Sequence, residues 1–378
     1  MAEAVHRLHG LDLSYFTGKT EAYLRAKGVA FETVETDTRG FERCARLTGV
    51  RQMPQLELAD GSWLTDSSEI VEWFETRGAG PVLRPAVRPV DPAAAFVSLL
   101  IEDFGDEALW RPALYWRWAF AADARLMSER LARGMLRDVP GPVLLRRLVI
   151  LNRQRLHYLS GDGVTAANRA AVEGLYPRAL DALQPVFAKR AFVLGERPTE
   201  ADFGLFGSMF RHFASDPTPA RLMRERAPDV LAWTGRVWSL TPERVAAAPE
   251  VRTVPDDLGP LFDLVERVHL PELEAHAEAV ATGRRRARFA LDGAPFDVPA
   301  APYRAWALGR LRARFQALAA DASRTVEGLI GPRSTAILAR EAAPAPRPIP
   351  ELPIRPSERP GERPSGRPLD RLWRGGAV

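Results

Sequence analysis

Residues Ser14 to Arg25 read SYFTGKTEAYLR and follow a short apolar run. A strand, a tight turn and a helix form the setting in which Gly-Lys-Thr binds phosphate. That loop also needs a glycine five residues before Gly18, and this chain has Leu13 there. The Gly-Lys-Thr is therefore predicted to be helix, and the chemistry is predicted at the front of the stretch, in Ser14-Tyr15.

Strands and helices are predicted to alternate on both sides of this stretch, over residues 1–80. A second strand is expected at 29–35 and a polar helix at 39–48. Residues 53–64 contain an Asp-Gly turn between two apolar runs, which is typical of a β-hairpin. Asp66-Ser-Ser-Glu69 is the pattern of a capping box that opens a helix. The predicted order is βαβαββα.

The remainder of the chain divides into three parts by its pattern. Residues 91–244 are helical throughout, and Thr199 and Asp202 are predicted to cap one helix. Residues 245–340 form an accessory, mostly helical region with a small hairpin around an Asp-Gly turn. Residues 341–378 are rich in proline and arginine and are expected to be disordered.

The composition excludes several classes of protein. The net charge of the 378 residues is only +4 and the basic residues are spread out, so nucleic-acid binding is not expected. A single cysteine, Cys44, excludes an intramolecular disulfide framework. We expect a cytoplasmic protein that is not bound to a membrane, because neither a signal peptide nor an apolar run of about 18 residues is found.

Four motifs together resemble the glutathione transferase superfamily. Ser14 to Arg25 is similar to the first-helix motif of its metaxin-like and failed-axon-connections-like branch, and the long chain resembles bacterial members. Gln52-Met-Pro-Gln-Leu56 matches the family's x-x-Pro-x-Leu, whose proline is cis. Asp66-Ser-Ser-Glu-Ile70 and Gly195-Glu-Arg-Pro-Thr-Glu-Ala-Asp-Phe203 match two further motifs. The resemblance implies a thioredoxin-like domain, an all-helical transferase domain and an extra region.

The resemblance also implies a binding site for glutathione as co-substrate. Ser67, at the start of a helix, would hold the γ-glutamyl carboxylate, because helix N-termini favour anions. Asp66 would face the γ-glutamyl ammonium. Met53, which precedes Pro54, would pair its backbone with the cysteinyl residue as an added strand does.

Two hydroxyl groups compete for the role of stabilising the glutathione thiolate. Ser14 occupies the register of the family's catalytic Ser or Cys, whereas Tyr15 stands in a Leu-Ser-Tyr-Phe that resembles tyrosine-type transferases. Both lie at the start of a helix, whose dipole also favours a thiolate. Neither Ser14 nor Thr17 is a cysteine, which excludes a disulfide-exchange motif. Addition, substitution, thioether cleavage and isomerisation by the bound thiolate remain.

A small electrophilic substrate is expected between the two domains, with Phe16, Trp110 and Tyr115 as candidate pocket residues. The carboxylates of residues 102–107 lack an accompanying histidine. We therefore interpret them as a solvated or arginine-paired face, and no metal is expected. The histidines show no catalytic constellation.

Two functions of different classes remain open. The first is a glutathione-dependent transferase or lyase. The second is a transferase-fold binding or assembly protein without turnover, in which residues 245–340 recruit a protein partner. The resemblance implies a homodimer built from the first domain of one subunit and the helical domain of the other, unless the accessory region occupies that surface.

Overall fold

The computed structural model of the chain describes residues 5–76, 85–341 and 347–356. Within these ranges, no helix is both long enough and apolar enough to cross a membrane. The strands are β1 His6–Gly10, β2 Phe31–Glu35, β3 Gln55–Glu57, β4 Trp63–Thr65, β5 Arg286–Leu291 and β6 Ala294–Pro299. The helices are α1 Tyr15–Lys27, α2 Thr38–Thr48, α3 Ser67–Thr76, α4 Pro92–Asp103, α5 Trp110–Ala119, α6 Ala121–Arg133, α7 Val143–Arg153, α8 Arg169–Phe187, α9 Glu200–Ser208, α10 Pro217–Arg226, α11 Pro228–Trp238, α12 Pro242–Ala247, α13 Gly259–Leu264, α14 Leu270–Ala281, α15 Pro302–Gln316, α16 Ala320–Ile330 and α17 Pro332–Ala339.

The first four strands form one sheet in the order β2-β1-β3-β4. Strand β1 pairs parallel with β2 and antiparallel with β3, and β3 pairs antiparallel with β4. Leu8, Leu56 and Leu64, from three adjacent strands, are fully buried. The predicted βαβαββα order is confirmed, and with it the thioredoxin-like N-terminal unit.

Helix α1 lies between the sheet region and the helical region. Ser14 caps its N-terminus by accepting from Thr17 N at 3.4 Å, and Gly28 ends it with φ 70°. Because α1 packs against both α3 and α9, most of its residues are buried, including Lys19. The Gly-Lys-Thr lies inside this helix, as predicted.

The helical region is interrupted by short π-helical segments, one of which, Phe104–Ala108, lies between α4 and α5. A Cβ at Gly204 of α9 would come within 2.6 Å of Glu102 Cα, and one at Gly105 within 2.6 Å of the backbone of Gly204. These two glycines therefore let α9 and the end of α4 approach backbone to backbone. The predicted capping box is present at the start of α9, where Thr199 N donates to Asp202 Oδ2 at 2.9 Å.

The accessory region packs on the rest of the molecule. It contains α13 to α17 and the predicted hairpin, whose strands β5 and β6 pair around Asp292-Gly293. Helix α15 contacts α4, with the Phe315 ring 5.5 Å from the Phe96 ring. It also pairs with α3, where Arg314 contacts Glu72 at 2.7 Å. The accessory region thus covers parts of α3, in the N-terminal unit, and of α4, in the helical region.

The expected disorder of residues 341–378 is wrong for 347–356. Ile354 forms a β-bridge with Trp63 of β4, each N–H donating to the other's carbonyl at 2.8 Å. Ile349 and Leu352 are buried. Leu352 belongs to the main apolar core and Ile354 packs against the cluster that contains Trp63, and the composition of the segment gives no sign of such packing. Residues 342–346 and 357–378 lie outside the described residues.

Candidate functional site

A cleft of about 340 Å³ lies where the N-terminal unit, the helical region and the accessory region meet. The N-terminal unit contributes residues from the start of α1, the loop before β3 and the start of α3. The helical region contributes the segment from Asp106 to Trp110 and the turn after α7. The accessory region contributes α14, the end of β6 and the start of α15. Residues that line the cleft include Phe16, Met53, Asp66, Ser67, Asp106, Glu107, Trp110, His157, Tyr158, Asp162, His276, Tyr303 and Arg304.

One wall holds the residues predicted to bind glutathione. Met53 precedes Pro54, and the peptide bond between them is cis. Ser67 is the first residue of α3, and Asp66 stands directly before it with φ 68°. The Asp66 carboxylate accepts from Glu69 N at 3.0 Å. Met53, Asp66 and Ser67 all line the cleft, so the structure brings together three residues predicted from two separate motifs.

Only half of the predicted capping box forms at this helix. The Asp66 carboxylate accepts a hydrogen bond from the Glu69 backbone N–H. The Glu69 carboxylate does not bond back to the start of the helix as a capping box requires. It pairs with Arg310 at 3.3 Å and with Arg347 at 2.8 Å. Both arginines lie beyond residue 300, so the sequence around α3 held no sign of them. The accessory region is thereby fastened to the start of α3.

Tyr303 of α15 also contacts this wall. Burial together with the charge of the nearby Asp66 carboxylate raises the pKa of the Tyr303 hydroxyl well above its usual value. Asp66 thus already has a partner from the accessory region at the place where a γ-glutamyl ammonium is expected. No motif points to Tyr303, because all four motifs lie before residue 240.

The two candidate thiol-activating hydroxyls are both engaged by the protein. Tyr15 is 1% exposed, and its hydroxyl donates to the Gly105 carbonyl. Burial raises the pKa of Tyr15 well above its usual value. The prediction that Tyr15 activates the thiol does not fit this geometry. Ser14 caps α1 and lines a smaller neighbouring cavity with Arg117 and His212.

The aromatic wall of the cleft comes from Phe16 and Trp110, whose rings stack with centroids 5.6 Å apart. Both were predicted as substrate-pocket residues, and both line the cleft. Tyr115, the third candidate, does not line it. It lies one and a half turns further along α5, where its hydroxyl donates to Glu173 Oε2 at 2.8 Å. Trp110 and Tyr115 lie on the same helix, but their side chains point in different directions, and only Trp110 reaches the cleft.

The interpretation of residues 102–107 as a solvated or arginine-paired face is wrong for Glu102 and Asp106. Both are buried, and both accept hydrogen bonds from Lys19, which is completely buried. The Lys19 Nζ lies 2.5 Å from Glu102 Oε1. Ser68 donates to the same Glu102 oxygen at 2.5 Å. A lysine 83 residues away in the chain gives no local signal, so these buried carboxylates were missed.

A buried network of arginines and carboxylates reaches the cleft through Glu107, Asp162 and Arg304. Arg111 donates two hydrogen bonds to Glu272, at 2.8 and 2.9 Å, and contacts Asp162 at 3.0 Å. Arg304 bridges Glu272 and Glu107. The two arginines lower the pKa of Glu272 well below its usual value, although burial alone would raise it. The network joins α5 and the π-helical segment to α14 and α15.

Two histidines line the cleft, although the sequence showed no catalytic constellation around them. His276 accepts from Ala301 N at 3.0 Å, and burial lowers the pKa of this histidine. His157 lies in the π-helical segment after α7. Among the residues that the structure describes, no group of three or more His, Cys, Asp or Glu side chains is placed to hold a metal ion.

Comparison with known families agrees with this architecture. Residues 8–82 match the glutathione S-transferase N-terminal domain, and residues 158–240 match the glutathione S-transferase C-terminal domain. The two matches support a place for the chain in the glutathione transferase superfamily. The fold is a thioredoxin-like N-terminal domain followed by a helical transferase C-terminal domain, with extra helices. No curated protein matches the chain.

Several solved structures are similar to the chain at low identity. The beta-etherase LigF from Sphingobium sp. strain SYK-6 is 21% identical, with a TM-score of 0.44, over 64% of this chain and 97% of that chain. A glutathione S-transferase from Methylobacterium radiotolerans in complex with glutathione sulfonate is 20% identical, with a TM-score of 0.38, over 66% and 98%. Glutathione transferase F7 from Populus trichocarpa is 19% identical, with a TM-score of 0.40, over 64% and 98%.

Proposed function

We propose that the protein is a glutathione-dependent transferase or lyase that acts on a small, largely apolar electrophile. The observation that carries the proposal is the convergence of Met53, Asp66 and Ser67 on one cleft, which the stacked rings of Phe16 and Trp110 also line. One wall has the polar groups that a charged tripeptide needs, and the other has the apolar surface that an electrophile needs. The matches to both transferase domains support the same function.

Glutathione would be held by its charged end and by its backbone. The N-terminal N–H groups of α3 and the Ser67 hydroxyl would hold the γ-glutamyl carboxylate. The Met53 backbone would pair with the cysteinyl residue. The ammonium would share the Asp66 carboxylate with Tyr303 or displace its hydroxyl. A cleft of about 340 Å³ is within the size range of small-molecule sites.

The thiolate would be stabilised by Ser14 rather than Tyr15. The Ser14 hydroxyl accepts from Thr17 N at 3.4 Å, which leaves its own proton free to donate. The Tyr15 proton is already donated to Gly105. The N-terminus of α1 adds the favourable end of the helix dipole at the same point. Ser14 would have to donate towards the cleft when glutathione binds.

The function is tested by calorimetric titration of glutathione into the wild-type protein and into Ser67→Ala. We expect at least tenfold weaker binding to Ser67→Ala, because a hydrogen bond to a charged group contributes roughly 1.5 to 3 kcal/mol. Ser323→Ala is the matched control, since Ser323 lies on α16 with its hydroxyl bound to Glu327. No binding of millimolar glutathione to the wild-type protein would overturn the proposal.

A second experiment separates the two hydroxyls. Ultraviolet difference spectra of bound glutathione report the thiolate at neutral pH. We expect Ser14→Ala to lose this signal and Tyr15→Phe to keep it. If Tyr15→Phe lost the thiolate signal and Ser14→Ala kept it, Tyr15 would be the residue that stabilises the thiolate. Helix α1 would then have to rearrange when glutathione binds.

A non-catalytic binding protein is the second candidate. The observation that favours it is that Tyr15 donates its proton to Gly105, whereas Ser14 lines a separate small cavity, and neither is among the residues that line the cleft. In this case glutathione would bind with its sulfur still protonated, and no conjugate would form with any electrophile. The accessory region would then serve a protein partner as well as one wall of the cleft.

A further inference from the structure

Helix α7 and the π-helical segment Gln154–Leu159 that follows it expose an apolar face to solvent. Leu144, Leu145, Leu148 and Leu156 are 60%, 58%, 49% and 62% exposed. Residues three and four positions apart lie on the same side of a helix, and Leu156 lies about two turns beyond Leu148. Four of the seven large hydrophobic side chains that are exposed among the described residues therefore share one side of this segment, which we call the leucine face.

The other side of α7 points inward and carries arginines. Arg146 donates to the Leu136 carbonyl at 2.8 Å. Arg153 is only 2% exposed and donates to the Tyr158 hydroxyl at 3.1 Å. A surface helix ordinarily turns its apolar side to the core and its charged side to water. The reversed arrangement leaves a continuous apolar surface on the outside, and such a surface marks an interaction site.

The segment is basic as well as apolar. Residues 139–161 contain four arginines and no Asp or Glu. Arg155 is exposed next to Leu156, and Arg125 is exposed on α6, the helix that packs against α7. Within the described parts of the chain, neither Arg125 nor Arg155 forms an ion pair with a carboxylate. Their charges are therefore available to a partner.

The carboxylates of the neighbouring helix α6 have other partners. Asp123 is buried and accepts from Thr218 N at 2.8 Å. Glu129 pairs with Arg133 at 3.0 Å. Asp138, which follows α6, accepts hydrogen bonds from the start of α2. Positive charge is thus in excess around the leucine face, and a partner with negative charge fits it best.

A second copy of the chain and a lipid surface both suit an apolar face, and the charge separates them. In a symmetric pair, the arginines around one leucine face would meet those around the other, and like charges that face each other oppose association. An anionic lipid surface attracts the arginines instead. It also takes up leucine side chains from the outside of a helix without a groove of matching shape.

We propose that the leucine face is a membrane-binding surface, with which α7 lies in the plane of a bilayer that contains anionic lipids. The four leucines enter the boundary between the headgroups and the acyl chains, and Arg125 and Arg155 reach the anionic headgroups. The inference does not depend on the proposed function, because none of the four leucines is among the residues that line the cleft.

This kind of binding differs from the one that the sequence spoke against. No bound membrane was expected because an apolar run of about 18 residues is absent. A helix that lies on the lipid surface needs no such run, since an apolar side and nearby basic residues are sufficient. The exposure of the leucines depends on which side of α7 packs inward, and that is visible only in the fold.

Cosedimentation of the full-length protein with vesicles measures the binding. We expect the protein to bind vesicles made of equal parts phosphatidylcholine and phosphatidylserine, and to bind phosphatidylcholine alone weakly. Leu145→Gln combined with Leu148→Gln is expected to weaken binding about tenfold or more, because two side chains no longer enter the lipid. Val90→Gln is the matched control, since Val90 is 61% exposed and lies before α4, outside the leucine face.

The role of the arginines is tested in the same assay. Arg125→Gln combined with Arg155→Gln is expected to weaken binding to the mixed vesicles by roughly fivefold for each arginine. Added salt is expected to weaken the binding of the wild-type protein, because it screens these charges. Arg252→Gln combined with Arg324→Gln is the control that removes two exposed arginines elsewhere, each of which pairs with a carboxylate close in the chain.

A fluorescent label locates the membrane contact without relying on a loss of binding. Cys44 is the only cysteine of the chain and is buried, so a cysteine introduced at the surface is labelled selectively. An environment-sensitive dye attached through Leu148→Cys is expected to shift its emission to shorter wavelength when mixed vesicles are added. The same dye attached through Val90→Cys is expected not to shift.

Three results would overturn the assignment. The first is no binding to the mixed vesicles; a dimer in sedimentation velocity that the double leucine variant abolishes would then assign the face to a second copy. The second is binding that the double leucine variant retains in full, without a shift of the dye at Leu148→Cys. The third is equal binding to both kinds of vesicle, which would remove the anionic lipid. Glutathione binding in calorimetry is independent of all three, so its absence would overturn only the proposed function.

Discussion

At the scale of single residues, Lys19 shows how far a local motif can mislead. It stands where a phosphate-binding loop would have its lysine, yet it lies inside α1 and is fully buried. Its ammonium compensates the charge of Glu102 and holds Asp106 in place. Lysine is also rare in this chain, since Lys27 and Lys189 are the only others.

We predict that Lys19→Met lowers the free energy of unfolding by about 3 to 5 kcal/mol, because it leaves a buried carboxylate without its cation. Urea denaturation at neutral pH measures the change. Lys189→Met is the control, since Lys189 is 63% exposed and paired only with Asp257 at the surface. Equal losses in the two variants would show that the cluster does not stabilise the fold.

The candidate site was predictable where a residue's backbone position determined its role. Met53, Asp66 and Ser67 line the cleft, as their motifs suggested, because the motifs fix a loop and a helix start that form part of its wall; their role in binding glutathione stays a prediction. The roles of Tyr15 and Tyr115 depended on side-chain direction, which no spacing in a single sequence specifies. Tyr303 and the burial of Asp106 beside Lys19 were missed, because both depend on contacts between distant parts of the chain.

At the scale of elements, strands and helices with a clear period or cap were predictable. The β1–β4 order, the helix that contains the Gly-Lys-Thr and the β5–β6 hairpin all have local signals. The π-helical segments do not, because one extra residue in a helical turn leaves no pattern in the sequence. The packing of residues 347–356 was also hidden, because their proline content resembles that of a disordered segment.

The junction of α15 with α3 gives a prediction about pH. Burial alone would raise the pKa of Glu72, but Arg88 and Arg314 lower it to about 2. The folded state therefore binds fewer protons than the unfolded state below pH 4.5, and stability is lost as pH falls towards 2. We expect Glu72→Gln to cost about 1 to 2 kcal/mol at pH 7 after screening by solvent, and almost nothing at pH 2.

Urea denaturation of both proteins at pH 7, 5 and 3 measures this difference. The gap between wild type and Glu72→Gln should narrow mainly below pH 4.5. A gap that stays constant across this range would mean that Glu72 stabilises the junction by packing rather than by charge.

At the scale of the whole molecule, the accessory region is part of the cleft and not an appendage. Its position could not be read from the sequence, because the contacts that dock it join residues far apart in the chain, as in Arg111 with Glu272. By covering parts of α3 and α4, it also leaves less of those helices for the homodimer that the resemblance implied.

We predict that Glu272→Gln lowers the free energy of unfolding by about 3 to 5 kcal/mol, because Arg111 and Arg304 lose the carboxylate that compensates them in the interior. Thermal and urea denaturation measure this. Asp297→Asn, which removes a surface carboxylate paired with Arg286, should change stability little. If the Glu272 variant were as stable as the control, the network would not hold the accessory region in place.

The bridge between Trp63 and Ile354 has a consequence for colloidal behaviour. β4 is the outermost strand on its side of the sheet, so its free N–H and carbonyl groups are a template on which a strand from another molecule could grow. At Trp63, the backbone of Ile354 already forms hydrogen bonds with these groups. A chain shortened before residue 347 would expose them beside the buried Trp63 side chain, and it would aggregate at concentrations at which the longer chain stays dispersed.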